Sequence, residues 1–312
     1  MTQAPLPLHD TARQRRLVAD GALGTALMAA GLEAGSCGEI WNLAHPEKIL
    51  EIQRRYVQAG ADCLITNTFG ASRIMLTRHG HGDLVKEINR AAVRIAREAF
   101  VGGGREGWVL GDIGPLGALL EPYGDLSEER ARAALEEQAA ALVEAGADGI
   151  VIETQTSLEE AGLAIDAAKA AGARSVVASF AYDLSADGTF YVTMMGVLPD
   201  RAARLMKDRG ADVAGLNCGT SMDMGAVAAV VRMYRASTEL PTMGQPNAGT
   251  PVLENGKVVY RQTPTEMAAA LPDVLEAGTN IVGSCCGSTY EHTAVIRRAV
   301  DAFNRQHGAA TG

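Results

Sequence analysis

Ala-Gly-Ala-Asp-Gly-Ile-Val-Ile-Glu-Thr-Gln, residues 145–155, holds a whole structural junction in one short stretch. A segment of helical period, Ser127–Ala145, leads into it, with Ser127 as a cap and Glu128 and Glu129 in the first turn. Gly146 then suits the left-handed residue that ends a helix. The residues after it, Gly149–Gln155, are continuously apolar until Glu153. A strand that does not alternate is one buried on both faces, as in a parallel sheet covered by helices.

The junction recurs. Ala-Gly-Ala-Asp stands also at 59–62, with variants at 171–173, 210–212 and 277–280, each between a helical segment and an apolar run. Eight strands are expected: Leu17–Ala22, Cys63–Phe69, Trp108–Gly114, Gly149–Gln155, Ser175–Ala181, Val213–Cys218, Pro241–Asn247 and Ile281–Gly287. Helices are expected at Pro46–Ala59, Leu84–Phe100, Ser127–Ala145, Ser157–Ala171, Asp200–Arg209, Met222–Ser237, Thr263–Ala277 and Tyr290–Arg305. Ser157 with Glu160 reads as a capping box. Alternation of this kind predicts a single α/β domain, a (β/α)8 TIM barrel with its site at the C-terminal face of the strands. A doubly wound sheet would carry a Gly-x-Gly-x-x-Gly turn after its first strand, and none stands there. Residues 1–15 are expected as a flexible N-terminal arm, 16–306 as the barrel and 307–312 as a tail. Long βα loops at 115–126, 182–199 and 248–262 belong on the site face.

Hydrophobic residues make up 47% of the chain and aromatics 4%, a mix that suits close helix-on-sheet packing. The formal net charge of −9 and the lack of a basic run argue against nucleic acid as a partner. No apolar run is long enough for a membrane helix. Five cysteines, an odd and low number, point to free thiols in a reducing, cytoplasmic setting.

Three of those thiols stand where strands end: Cys218 in Gly-Leu-Asn-Cys-Gly, and Cys285 with Cys286 in Gly-Ser-Cys-Cys-Gly. Adjacent strand residues face opposite ways, so the pair could be one core and one surface residue. In a barrel, though, the ends of the sixth and eighth strands open on one face. Three thiolates converging there, with a fourth position free, have the layout of catalytic zinc. Cys37 and Cys63 are bystanders in this scheme, and His79-Gly-His81 is a surface loop. Met194, Met195 and Met243 are candidates to line the site.

Asp20-Gly-Ala-Leu-Gly-Thr, Thr66-Asn-Thr-Phe-Gly, Glu153-Thr, Gly215-Leu-Asn-Cys-Gly, Pro246-Asn-Ala-Gly and Gly283-Ser-Cys-Cys-Gly occur in this order. Together they resemble the homocysteine S-methyltransferase family over about residues 17–303, most of all the homocysteine-binding module of cobalamin-dependent methionine synthase. The resemblance implies one Zn2+ held by Cys218, Cys285 and Cys286, the catalytic centre. It implies that Glu153 receives the ammonium of the amino acid, and that Asp20, Gly21, Thr68 and Asn217 contact or position substrate. The partners it implies are homocysteine and a small methyl donor, or a methylated corrinoid carried by a separate protein. Oligomeric state stays open. Trp41 and Trp108 are few for a quaternary-ammonium cage, and Asp20-Gly-Ala stands where the betaine-dependent enzymes have a double glycine.

The chemistry such residues allow is methyl transfer to sulfur. A free thiol is only a few per cent thiolate at neutral pH; ionising it fully on zinc gains roughly 30-fold, about 2 kcal/mol. Three Cys ligands keep that sulfur electron-rich. The product with homocysteine is methionine. The alternative is a methyltransferase subunit of a corrinoid-dependent demethylation system with another donor or acceptor.

Overall fold

The structure, a computed structural model, describes residues 6–254 and 257–309. Eight parallel strands form one sheet in the order β1-β8-β7-β6-β5-β4-β3-β2. They are β1 (Leu17–Val18), β2 (Cys63–Ile65), β3 (Trp108–Ile113), β4 (Gly149–Gln155), β5 (Val176–Phe180), β6 (Val213–Asn217), β7 (Thr242–Gln245) and β8 (Ile281–Val282). A parallel bridge between Ala19 and Cys63 joins β1 to β2 and closes the barrel. The Asp62 N–H donates to the Val18 carbonyl at 2.7 Å, and the Asp20 N–H to that of Cys63 at 3.1 Å. The expected TIM barrel is the fold.

All eight expected helices are present, one of them to the residue: Pro46–Ala59 begins on its proline and ends at Gly60 in the left-handed conformation. Ser157 caps its helix, its hydroxyl accepting from the Glu160 N–H at 3.2 Å. The Glu160 carboxylate does not close the expected box. It accepts from the Leu116 N–H at 2.6 Å instead and fastens the loop after β3.

The expected loose arm is a correction. Residues 8–14 form a helix, α1 (Leu8–Gln14), with Leu8 and Ala12 fully buried. Both pack into the cluster of Leu17, Cys63, Trp108, Leu110, Val151, Val177, Val213, Met243 and Ile281 that fills the barrel interior. The Trp108 indole donates to the Leu6 carbonyl at 3.0 Å, and Asn280 Nδ2 to that of Ala12 at 2.8 Å. The segment thus plugs the N-terminal end of the barrel. Residues 1–5, the start of the expected arm, and 310–312, the end of the expected tail, lie outside the described residues. Two hairpins occupy long loops on the other face, Asp183–Leu184 with Tyr191–Val192 and Val252–Glu254 with Lys257–Val259. Among the described residues no helix is long and apolar enough to cross a membrane.

Side chains alternate along a strand, and that places the site. Above the apolar layer of Leu110, Val151, Val177 and Met243, the next inward positions are Asp112, Glu153, Ser179 and Gln245, with Asn217 beside them on β6. The interior therefore changes from hydrocarbon to a polar floor over the last residues of the strands.

Candidate metal centre

Cys218, Cys285 and Cys286 come together at the C-terminal mouth, their sulfurs all within 4.8 Å of one another. Cys218 Sγ and Cys286 Sγ are 3.9 Å apart, and Cys285 Sγ and Cys286 Sγ 4.0 Å. A tetrahedral zinc with Zn–S bonds of about 2.3 Å has ligand edges of about 3.8 Å, so the spacing and the donor type both fit that ion. The alternative of one core and one surface cysteine does not hold, because both sulfurs of the pair face the same point.

Backbone geometry brings this about. Cys218 is in the left-handed region at φ 55, and Gly219 follows at φ 87. A Cβ on Gly219 would lie 1.9 Å from the Tyr182 carbonyl oxygen, so only glycine can complete this turn. Gly287, at φ 77, plays the same part after the Cys pair. Between the two cysteine segments lies the loop after β7. Gln245 O accepts from the Cys218 N–H at 3.3 Å, and Asn247 Nδ2 donates to Gly219 O at 2.7 Å. On its other side Pro246 O accepts from the Cys285 N–H at 2.6 Å, and the Ala248 N–H donates to Cys286 O at 2.9 Å. The Pro-Asn-Ala-Gly motif is a splint that holds both sulfur-bearing turns in register.

The thiols titrate together. Hydrogen bonds with Cys218 and then Cys285 hold Cys286 down at about 3. Cys285 is pushed well above the usual thiol range by its contacts with Cys218 and Cys286 and by burial. Cys218 is pushed up to about 11; the contact with Cys285 pulls it down, but Cys286 and burial outweigh that. One negative charge is thus shared by three sulfurs, and a divalent cation is what would let all three ionise. Tyr260, beyond the second hairpin, hydrogen-bonds Cys286, a contact the sequence did not reveal.

Beside the sulfurs, Glu153 and Asn217 form a tied pair. Asn217 Nδ2 donates to Glu153 Oε2 at 3.2 Å and to Thr154 Oγ1 at 2.8 Å. Its Oδ1 accepts from the Thr154 N–H at 2.9 Å and the Ser179 hydroxyl at 2.6 Å, which fixes the amide orientation. Thr154 is itself left-handed at φ 59. Two non-glycine residues in that region, both at strand ends beside the cysteines, are the strain that functional sites carry. Burial raises the Glu153 carboxyl; a hydrogen bond with Asp112 opposes this and the charge of Cys286 adds to it. Asp112, which sequence reasoning passed over, is raised well above the carboxylate range by burial and by Glu153.

Asp20 is 3% exposed, its Oδ2 accepting from the Ile65 N–H at 2.8 Å and its carbonyl from the Ser284 N–H at 3.2 Å. Gly21 faces Tyr56, Ser284 and Ser288, and a Cβ there would come within 2.9 Å of Ser288 Oγ. Thr68 is fully buried, its hydroxyl 2.7 Å from both Thr66 Oγ1 and the Asp112 carbonyl, so it braces β3. Met243 is a correction too, buried in the apolar layer below the floor, while Met194 is 78% exposed. Cys63 lies at the plugged end, and Cys37 contacts Glu39.

Comparison with known proteins places this chain among relatives. The family model for homocysteine S-methyltransferase matches residues 17–300. The methionine synthase of Mycobacterium tuberculosis (strain ATCC 25618 / H37Rv) is 33% identical over 325 aligned residues, covering 98% of this chain and 27% of that protein. That of Mycobacterium leprae (strain TN) is 31% identical over 312, covering 95% and 25%. The chain therefore spans about a quarter of the length of these relatives. Among solved structures, the metallated form of the homocysteine methyltransferase MmuM from Escherichia coli superposes with a TM-score of 0.75 at 23% identity, covering 93% of this chain and 98% of that one. At that identity the likeness speaks for the fold.

Proposed function

The chain belongs to the homocysteine S-methyltransferase family, and from that premise we propose that it transfers a methyl group to the sulfur of homocysteine, giving methionine, with one Zn2+ held by Cys218, Cys285 and Cys286. The observation that carries this is the convergence of three sulfurs from two strand ends at spacings a tetrahedral ion requires. When bound, zinc would lower the pKa of a thiol coordinated beside the three cysteines and so would supply a nucleophilic sulfur.

The protein's own residues do the rest. Glu153 accepts the ammonium of the amino acid, and Asn217 pins its Oε2. Ser179 and the Thr154 N–H hold Asn217 in place. The floor thereby orients the sulfur toward a donor arriving from the open mouth. The sulfur forms a bond to the methyl carbon as the donor's bond to that carbon breaks, and the electron pair leaves with the donor. Positioning of this kind supplies most of the acceleration.

Likeness to the methionine synthases supports methyl transfer to homocysteine, and a methylated corrinoid is the first candidate donor. A betaine cage finds little support: Trp108 bonds Leu6 at the plugged end, and the face of Trp41 is covered by Lys48 Nζ 4.4 Å from the ring centroid. The test is a donor panel. Zinc-loaded protein with homocysteine and S-methylmethionine, betaine, methylcobalamin or S-adenosylmethionine should give methionine with one of them. Cys218→Ala should abolish zinc binding, read by metal analysis, together with activity. Full activity in zinc-free protein would overturn the mechanism.

A further inference from the structure

Tyr260 comes to the three sulfurs from the second hairpin, whose residues Leu253 and Val258 are exposed. The base of that hairpin is tied down two residues further on. The Gln262 N–H donates to Ala248 O at 3.0 Å, and Gln262 O lies 3.0 Å from His292 Nε2. His292 Nδ1 accepts from the Thr289 N–H at 3.0 Å, so Nε2 carries the proton and donates to that carbonyl. The hairpin base is thereby joined to two segments: the splint after β7, and the helix Tyr290–Gln306 that begins just past the cysteine pair.

Gly287 lets the side chain reach the site. A Cβ on that glycine would run into Tyr260 Cβ and Cγ, so the tyrosine lies directly against the backbone that follows Cys286. Its hydroxyl meets Cys286. A phenol keeps its proton at neutral pH and a thiolate only accepts, so the hydroxyl donates to sulfur. Backbone N–H groups also reach these sulfurs, that of Gly219 to Cys218 and that of Cys286 to its own. Those are fixed by the turns, whereas the hydroxyl can be removed without moving the chain. Three cysteinates outnumber the two charges of the zinc they would hold. A donor against one sulfur draws off part of the excess.

Resting on the zinc site proposed above, we propose that Tyr260 is a positioning residue of the metal centre. Its hydroxyl holds the Cys286 sulfur in place and takes up part of its charge when zinc is bound, and so sets how tightly the ion is retained.

Tyr260→Phe tests this, because it keeps the ring against Gly287 and removes only the hydroxyl. Competition with a chromophoric chelator should give a zinc affinity about 10- to 100-fold below that of the parent. With Co2+ in place of zinc, the sulfur-to-metal charge-transfer band should move to lower energy, since a sulfur freed of its donor holds its electrons less tightly. A zinc affinity within about twofold of the parent would overturn the proposal. So would a lower affinity with the band unmoved, which would mark Tyr260 as packing alone. A parent that takes up neither Zn2+ nor Co2+ defeats the zinc site and the functional reading built on it, a result distinct from any failure of the variant.

Discussion

At Asp112 and Glu153 two carboxyl groups share a buried, unneutralised space, and this has a measurable signature in pH. The Asp112 carboxyl is raised well above its ordinary value, chiefly by burial and then by Glu153. Its unfolded-state proton leaves near pH 4, while the folded-state proton stays on much longer. The stability it contributes is therefore full below about pH 4 and is lost as pH rises through the folded-state value. Asp112→Asn has no proton to lose, so metal-free Asp112→Asn should match the parent near pH 4 and be more stable by a margin that widens toward pH 8. Thermal melts across that range check it, and a constant margin would mean the pair does not titrate as described. The sequence did not disclose Asp112, since one acid inside Trp-Val-Leu-Gly-Asp-Ile looks like a strand end; only counting inward positions from Trp108 and Leu110 would have found it. The three cysteines were legible because glycine and strand ends frame them. Tyr260 was not, because it reaches Cys286 only through a hairpin whose path no local pattern encodes.

Among the elements, the helices were read nearly to the residue wherever a cap and an apolar stripe coincide, as at Pro46–Ala59 and after Ser157. β4 has its expected bounds, but the other strands came out shorter: β8 keeps only Ile281 and Val282, and the glycine-flanked cysteines lie beyond its end. The barrel needs those residues unpaired in order to aim sulfur inward. Helix α1 was missed because two prolines before it read as a loose arm, while its role depends on tertiary contacts with a barrel interior that its own seven residues cannot reveal. Leu8 is fully buried in that interior. Leu8→Ala should cost about 2–5 kcal/mol in urea unfolding. A loss below about 0.5 kcal/mol would show that the helix is not seated in the barrel.

For the whole molecule, the fold was legible because one junction, helix–glycine–apolar run, is repeated around the chain, and a closed ring satisfies every such unit at once. What the repeat could not convey is that the ring is stoppered at one end. Leu8, Ala12 and the layer of Leu110, Val151, Val177 and Met243 leave no passage through the axis. A vessel with a single opening fills from the bottom upward. On the function proposed above, an amino acid whose nitrogen reaches Glu153 would enter before the methyl carrier covers it, and the spent carrier would depart before methionine could escape. Steady-state kinetics should accordingly intersect instead of running parallel, and methionine should compete with homocysteine alone. Parallel lines would mean that the two reactants never occupy the well together.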